Sequence, residues 1–77
     1  MKQQIIKILE EIRPEFDFSE EVNFIENGYL DSFDVVTLVT SLDECFNISI
    51  PGIEILPENF SSVQAIIELL KRSGVKV

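Results

Sequence analysis

The sequence has no histidine and no tryptophan, a single cysteine, three glycines and three prolines. Each shortage closes a class of function. Without histidine there is no triad built on an imidazole base and no ordinary structural zinc site. A lone Cys45 excludes an intramolecular disulfide framework, and one thiol is compatible with a reducing compartment. Basic residues are scarce as well, six against fourteen acids, for a formal charge of −8. Such a surface lacks the basic footprint that nucleic acids and anionic membranes require. No stretch approaches the roughly 18 apolar residues of a membrane span. Lys7 and Glu10 interrupt the N-terminal apolar residues and no small-residue cleavage site follows, so the start does not read as a signal peptide. The expected location is the cytoplasm, with neither nucleic acid nor membrane insertion in its mode of action.

What is present fits one domain over residues 1–77, and nothing requires more than a monomer. A chain of this length buries only roughly 60% of its unfolded surface, so its core is thin. At 45% hydrophobic it is still too apolar to be a disordered acidic tail. The charges are segregated. All six bases lie in two terminal blocks, Lys2, Lys7 and Arg13, then Lys71, Arg72 and Lys76. Between residues 14 and 70 there are twelve acids and no base. This is either a surface kept soluble by repulsion or an acidic docking face for basic partners, the latter weakening with salt.

Periodicity marks three helices. Ile5, Ile8, Leu9 and Ile12 form one apolar stripe, which Pro14 ends near Arg13. Residues 14–31 lack clean periodicity, although Asp17 and Glu20 suit a brief helical turn, and a loop of this length suggests function. A second stripe runs through Val35, Leu38, Val39, Leu42, Cys45 and Phe46. Asp31 is its expected N-cap, Asp34 completes a weaker capping box, and Leu30 and Val35 take the hydrophobic-staple positions. Pro51, Gly52 and Pro57 limit Ile53–Leu56 to one short helical turn. Ser61 and Gln64 form the expected capping box of the last helix, with Val63, Ile66, Ile67 and Leu70 as its stripe and Gly74 as its stop. The alternation in Phe46–Ile50 resembles a strand, but a single strand has no partner, so it reads as loop. The expected fold is all-α, a small four-helix bundle of three longer helices and one short one.

The candidate chemistries are few. Cys45 lies on an apolar stripe without a cationic neighbour, which predicts core packing rather than nucleophilic reactivity. No EF-hand spacing or Gly-rich phosphate loop appears among the acids, so no metal site is expected. Ser32 stands apart. If Asp31 is the N-cap, Ser32 is the first helical residue, where unpaired N–H groups and the positive end of the helix dipole favour an anion joined to its hydroxyl. The competing reading makes Ser32 merely a second capping residue.

Asp31-Ser32, preceded by Gly28 and followed by Val35, Val36, Leu38, Val39 and Leu42, decides between them. Together with Phe46, Ile50-Pro51 and Ser62-Val63-Gln64-Ala65-Ile66, these residues resemble the acyl carrier and peptidyl carrier family of phosphopantetheine-binding domains over roughly residues 2–73. The resemblance implies the acyl-carrier type of bundle, with Ser32 carrying a 4′-phosphopantetheine arm donated by coenzyme A, and Asp31 as part of the attachment motif and helix cap. A separate Mg²⁺-dependent phosphopantetheinyl transferase would attach the arm, and its terminal thiol would hold an acyl group as a thioester. The protein would then be no enzyme but a cofactor-bearing substrate of others: an acyl- or aminoacyl-adenylating ligase and an acyltransferase or synthase, in lipid or secondary-metabolite biosynthesis.

The second helix supplies the expected partner face. Asp34, Thr37, Ser41 and Glu44 form an outward row with Asp43 beside it, and Phe33 and Val36 fall off the buried stripe. Two apolar residues rimmed by acids make a small docking hot spot, unless Phe33 folds back onto the loop as core. By the resemblance, modifying enzymes grip this helix. Two departures bear on cargo. Phe33 follows the serine where fatty-acid carriers usually have Leu, and Thr37 and Thr40 stand where those carriers are richer in acids. The Ser-Phe pair looks more like stand-alone D-alanyl carriers and some aminoacyl or peptidyl carriers, and Pro57-Glu-Asn-Phe60 also departs from the fatty-acid pattern. The rival readings are an unmodified acidic module that binds a basic partner, and an enzyme in its own right that would need a base the sequence does not offer.

Overall fold

Proline, glycine and a few capping side chains set most of the helix limits. In the computed structural model, which describes residues 1–75, helix α1 spans Lys2–Ile12. Its last amide bond runs from Arg13 N–H to the Leu9 carbonyl, and Pro14 follows, unable to continue the ladder. Lys76, the last terminal base, and Val77 lie outside the described residues. Helix α2 spans Ser32–Phe46 and α3 spans Val63–Arg72, with 3₁₀ turns at Gly52–Glu54 and Pro57–Phe60 between them. No strand occurs among the described residues, and none of their helices is long and apolar enough to cross a membrane. The all-helical architecture agrees with the small bundle expected from the sequence, with 3₁₀ turns in place of the short fourth helix.

Helix α1 packs against both α2 and α3, and the second 3₁₀ turn packs on α3. Ile5 and Leu9 of α1, Leu38 and Leu42 of α2, Phe60, and Ile66, Leu69 and Leu70 of α3 are fully buried in one apolar core. Asn59 and Arg72 both bond Glu54, which ties the 3₁₀ segment to the end of α3.

The start of α3 differs by one residue from the capping box expected at Ser61 and Gln64. Ser61 has helical backbone angles and its hydroxyl donates to the Glu58 carbonyl. An N-cap needs extended backbone, which Ser62 provides, and the Ser62 hydroxyl accepts from the Ala65 N–H at 3.0 Å. Gln64 instead donates to Glu68. Leu69 accordingly joins the buried face while Ile67 is only half-buried. The helix stops as expected: Gly74 has φ 99°, its N–H reaches the Lys71 carbonyl and that of Val75 reaches Leu70, the paired bonds of a Schellman motif.

Cys45 is a second correction. It is exposed, not part of the core. The buried face of α2 is Val35, Leu38, Val39 and Leu42. Past Leu42 the helix runs beyond the edge of the core, where half-buried Phe46 makes the last contact and Cys45 faces solvent.

The long segment 14–31 is a packed element, held by aromatic rings. Phe16 stacks on Tyr29 at a centroid distance of 4.3 Å, and Phe18 meets Phe24 edge-on at 5.0 Å. Phe18, Phe24 and Leu30 are buried. Asn23 organises the turn between them, its side-chain oxygen accepting from the Ile25 and Glu26 amides. The Phe24 carbonyl accepts from Tyr29 and Leu30, while the Phe24 N–H donates to Ser61. The positive φ of 75° at Gly28 closes the turn, a conformation that costs other residues about 1 kcal/mol or more. Asp17 forms no helix cap; it accepts from the backbone and hydroxyl of Ser19.

Candidate functional site

The site begins with a helix start that is satisfied from both sides. Asp31 adopts extended angles, and its Oδ1 accepts from the Asp34 N–H at 2.9 Å. Asp34 Oδ2 in turn accepts from the Asp31 N–H at 3.0 Å, so both halves of the expected capping box are present. Leu30 and Val35, on either side, are buried in the staple positions. This frame makes Ser32 the first residue of α2. Ser32 is exposed, and among the described residues its hydroxyl has no hydrogen-bond partner.

Arg13, from the end of α1, closes the seam. Its Nε donates to Asp34 Oδ2 at 2.7 Å, its Nη2 to Asp31 Oδ2 at 3.1 Å and its Nη1 to Glu15 at 3.3 Å. One guanidinium thus holds the residue before Ser32 and the residue two after it. The Asp34 amide, with the charge of Arg13 behind it, keeps the Asp31 carboxyl below the ordinary carboxylate range. The hydrogen bond to Asp34 pushes the Arg13 guanidinium up. Nothing in the sequence pairs Arg13 with acids 18 and 21 residues away; only its position as the last base before the acidic stretch was visible.

The Asp31 shift fixes the sign of a pH effect. A carboxyl whose value falls on folding contributes stability that is complete above its unfolded value, about 3.9, and is lost as pH drops through the folded one. The urea midpoint of the wild type is therefore expected to exceed that of Asp31→Asn from pH 5 to 7. The gap should shrink below about pH 4. A gap that stays constant down to pH 2 would show that the Asp31 charge contributes nothing.

The expected partner residues fall into two groups. Phe33 and Val36 are 82% and 61% exposed, so Phe33 does not fold back onto the loop. Thr37 is exposed beside them, its hydroxyl bonded to the Phe33 carbonyl, and Glu44 is exposed about two turns further along α2. The two aspartates are turned inward to other work. Asp34, its side chain 13% exposed, serves the cap and Arg13. Asp43 accepts from the Ile50 N–H at 3.0 Å and fastens the chain that leaves α2. That exit uses Asn47 in the left-handed region at φ 53°.

Among the described residues there is no cluster of three potential metal ligands. A surface groove of about 460 Å³, bordered by Lys2, Glu20, Ser62 and Ile67, does not include Ser32. The serine stands on an open surface, reachable by a large partner, and its free hydroxyl fits covalent attachment of a group from outside.

A family model described as "Phosphopantetheine attachment site" matches residues 3–70. The chain belongs to this family. Its prosthetic group is 4′-phosphopantetheine, and the resemblance read from Asp31-Ser32 and the helical pattern is the same one. Within the family the chain is similar to the D-alanyl carrier proteins of Lactococcus lactis subsp. cremoris strains MG1363 and SK11, each 34% identical over 68 residues. That of L. lactis subsp. lactis strain IL1403 is 32% identical over the same length, and each comparison covers 86% of both chains. No solved structure matches at comparable significance. As a member of a carrier family, the chain works with a modifying transferase and with ligases in general.

Proposed function

We propose that the protein is a carrier domain over residues 1–77, modified at Ser32, that receives an aminoacyl group and delivers it to partner enzymes. The observation that carries this reading is the Ser32 hydroxyl. It is exposed, and without a partner among the described residues, on the first residue of a doubly capped helix in a chain of the phosphopantetheine-attachment family. Attached there, 4′-phosphopantetheine supplies a terminal thiol on which an acyl group is kept activated. The chain's residues do the positioning. Asp31 and Asp34 fix the backbone on either side of Ser32, and Arg13 anchors both to α1. No base within the chain is required, because the transferase brings its own. The aminoacyl class is favoured by Phe33 after the serine and by the likeness to proteins named D-alanyl carriers.

Docking falls to the exposed side of α2. Phe33 and Val36 form its apolar centre, with Thr37 and Glu44 at the rim; Asp34 and Asp43 contribute charge from positions already bonded within the chain. Replacing Phe33 and Val36 together by Ser is expected to raise the KM of the loading enzymes for the carrier by roughly tenfold. The melting temperature should change little, since both side chains are exposed. Unchanged steady-state kinetics would move docking elsewhere. Adding a charge reversal at Glu44→Lys should weaken association at low salt more than at high salt.

The function itself is tested by intact mass after incubation with coenzyme A and a broad-specificity phosphopantetheinyl transferase. A gain of one phosphopantetheine, followed by loading from an adenylating ligase with D-alanine, supports the whole reading. Loading only with a fatty acyl group would reject the aminoacyl part. No gain, with a transferase proven active on a control carrier, would favour the unmodified acidic module.

A further inference from the structure

Three carboxylates, Glu15, Asp31 and Asp34, meet at the seam beside Ser32, and a single guanidinium lies among them. Modification adds another anion. When the Ser32 Oγ–P bond forms, the P–O bond to the adenosine 3′,5′-diphosphate part of coenzyme A breaks and the hydroxyl proton leaves to a base on the transferase. A neutral hydroxyl thereby becomes a phosphodiester monoanion. It is flanked in sequence by Asp31 and, two residues on, Asp34, in a stretch from 14 to 70 that holds no base. Of the other bases among the described residues, two are paired and two lie further back along α1. Arg72 pairs with Glu54 and Lys71 with Glu68. Lys7 lies six residues back along α1, about 9 Å of helix rise from Arg13.

We propose that Arg13 is a positioning residue and the counter-charge of the modified serine, offsetting the two carboxylates that bracket Ser32 so that an anion is tolerated at the start of α2. This rests on the reading that Ser32 is the attachment point. The geometry suits the task. The guanidinium reaches Asp34 through Nε and Asp31 through Nη2, which sets its positive charge between the two carboxylates that bracket Ser32. It leaves the hydroxyl itself untouched, so the charge is supplied without blocking the nucleophile. The dipole of α2 favours the same anion, and Arg13 weakens the opposing field of the cap carboxylates.

A purely mechanical pin between α1 and α2 would give a different result, and a cycle of variants separates the two. Urea unfolding of the full chain is measured for wild type, Arg13→Gln, Ser32→Asp and the double variant, where Ser32→Asp places an anion at position 32 without any transferase. The expected result is coupling: Ser32→Asp lowers the folding constant about threefold more in the Arg13→Gln background than in wild type, and 1 M NaCl removes most of the difference. Arg13→Lys should keep most of the coupling, because charge rather than the fork carries it. In parallel, kcat/KM of the transferase for coenzyme A should fall by about threefold in Arg13→Gln at low salt and recover in Arg13→Lys. Additive effects of Arg13→Gln and Ser32→Asp, with no salt dependence, would overturn the proposal and leave Arg13 as a pin. Failure of the carrier reading is seen separately, as a wild-type chain that gains no mass. The Ser32→Asp cycle is read without reference to that outcome.

Discussion

Ser32→Ala is expected to lose all loading while keeping the stability of the wild type. The loss should be complete because the reaction needs a hydroxyl at one place, the first residue of α2. The neighbouring hydroxyls are committed elsewhere: Thr37 donates to the Phe33 carbonyl and Thr40 to Val36. The fold should be indifferent because the cap of α2 is Asp31, not Ser32, and the Ser32 hydroxyl bonds nothing among the described residues. Alanine is also the better helix former, so the unfolding free energy from urea titration should stay level or rise by a few tenths of a kcal/mol. Asp31→Ala makes the complementary case. It keeps the hydroxyl but removes the cap and one Arg13 partner, and is expected to cost about 1 kcal/mol. Intact mass and urea titration on the two variants separate chemistry from scaffold. A Ser32→Ala chain that still gains a phosphopantetheine would place the attachment elsewhere.

The parts of this site legible from sequence are those built from near neighbours. Asp31, Asp34, Leu30 and Val35 lie within a few residues of one another, so the cap, box and staple follow from spacing, as does the exposure of Phe33 and Val36 off the α2 stripe. The last helix was legible to within one residue, because two adjacent serines offer equivalent caps and only the preceding 3₁₀ turn selects Ser62. Cys45 was misplaced since periodicity says which face a residue shares but not where the core ends. Arg13 was invisible as a partner, its contacts being tertiary.

The loop before α2 is the clearest case of order that periodicity does not encode. Residues 14–31 were expected to have function because a long segment without secondary structure usually does. Their order comes instead from Phe16, Phe18, Phe24 and Tyr29, whose rings pack on one another with no regular sequence interval. The functional consequence is indirect. This segment delivers Leu30 and Asp31 to the start of α2, and the Phe24 carbonyl holds the Tyr29 and Leu30 amides at 2.8 and 3.1 Å.

Phe24→Ala should be, with Phe18→Ala, one of the two most damaging single truncations in the loop. Phe24 is 1% exposed, with ring partners on either side, Phe18 at 5.0 Å and Tyr29 at 6.1 Å. Removing a buried ring costs about 3–5 kcal/mol, part of it the cavity left behind. A 77-residue chain has a total stability of roughly 4–12 kcal/mol, so the variant is expected to lose a large part of that margin and to melt well below the wild type. Phe24→Leu keeps most of the volume and should cost about 1–2 kcal/mol. The pair distinguishes two accounts of the loop. If the segment is scaffold, Phe24→Leu melts lower yet loads Ser32 at the wild-type rate when assayed well below its transition. If the aromatic cluster instead meets the partner enzymes, Phe24→Leu should raise their KM even where it is fully folded. The burial of the ring, and a site that begins only at Asp31, favour the first account. Thermal melts and loading rates at low temperature on the same two variants decide it.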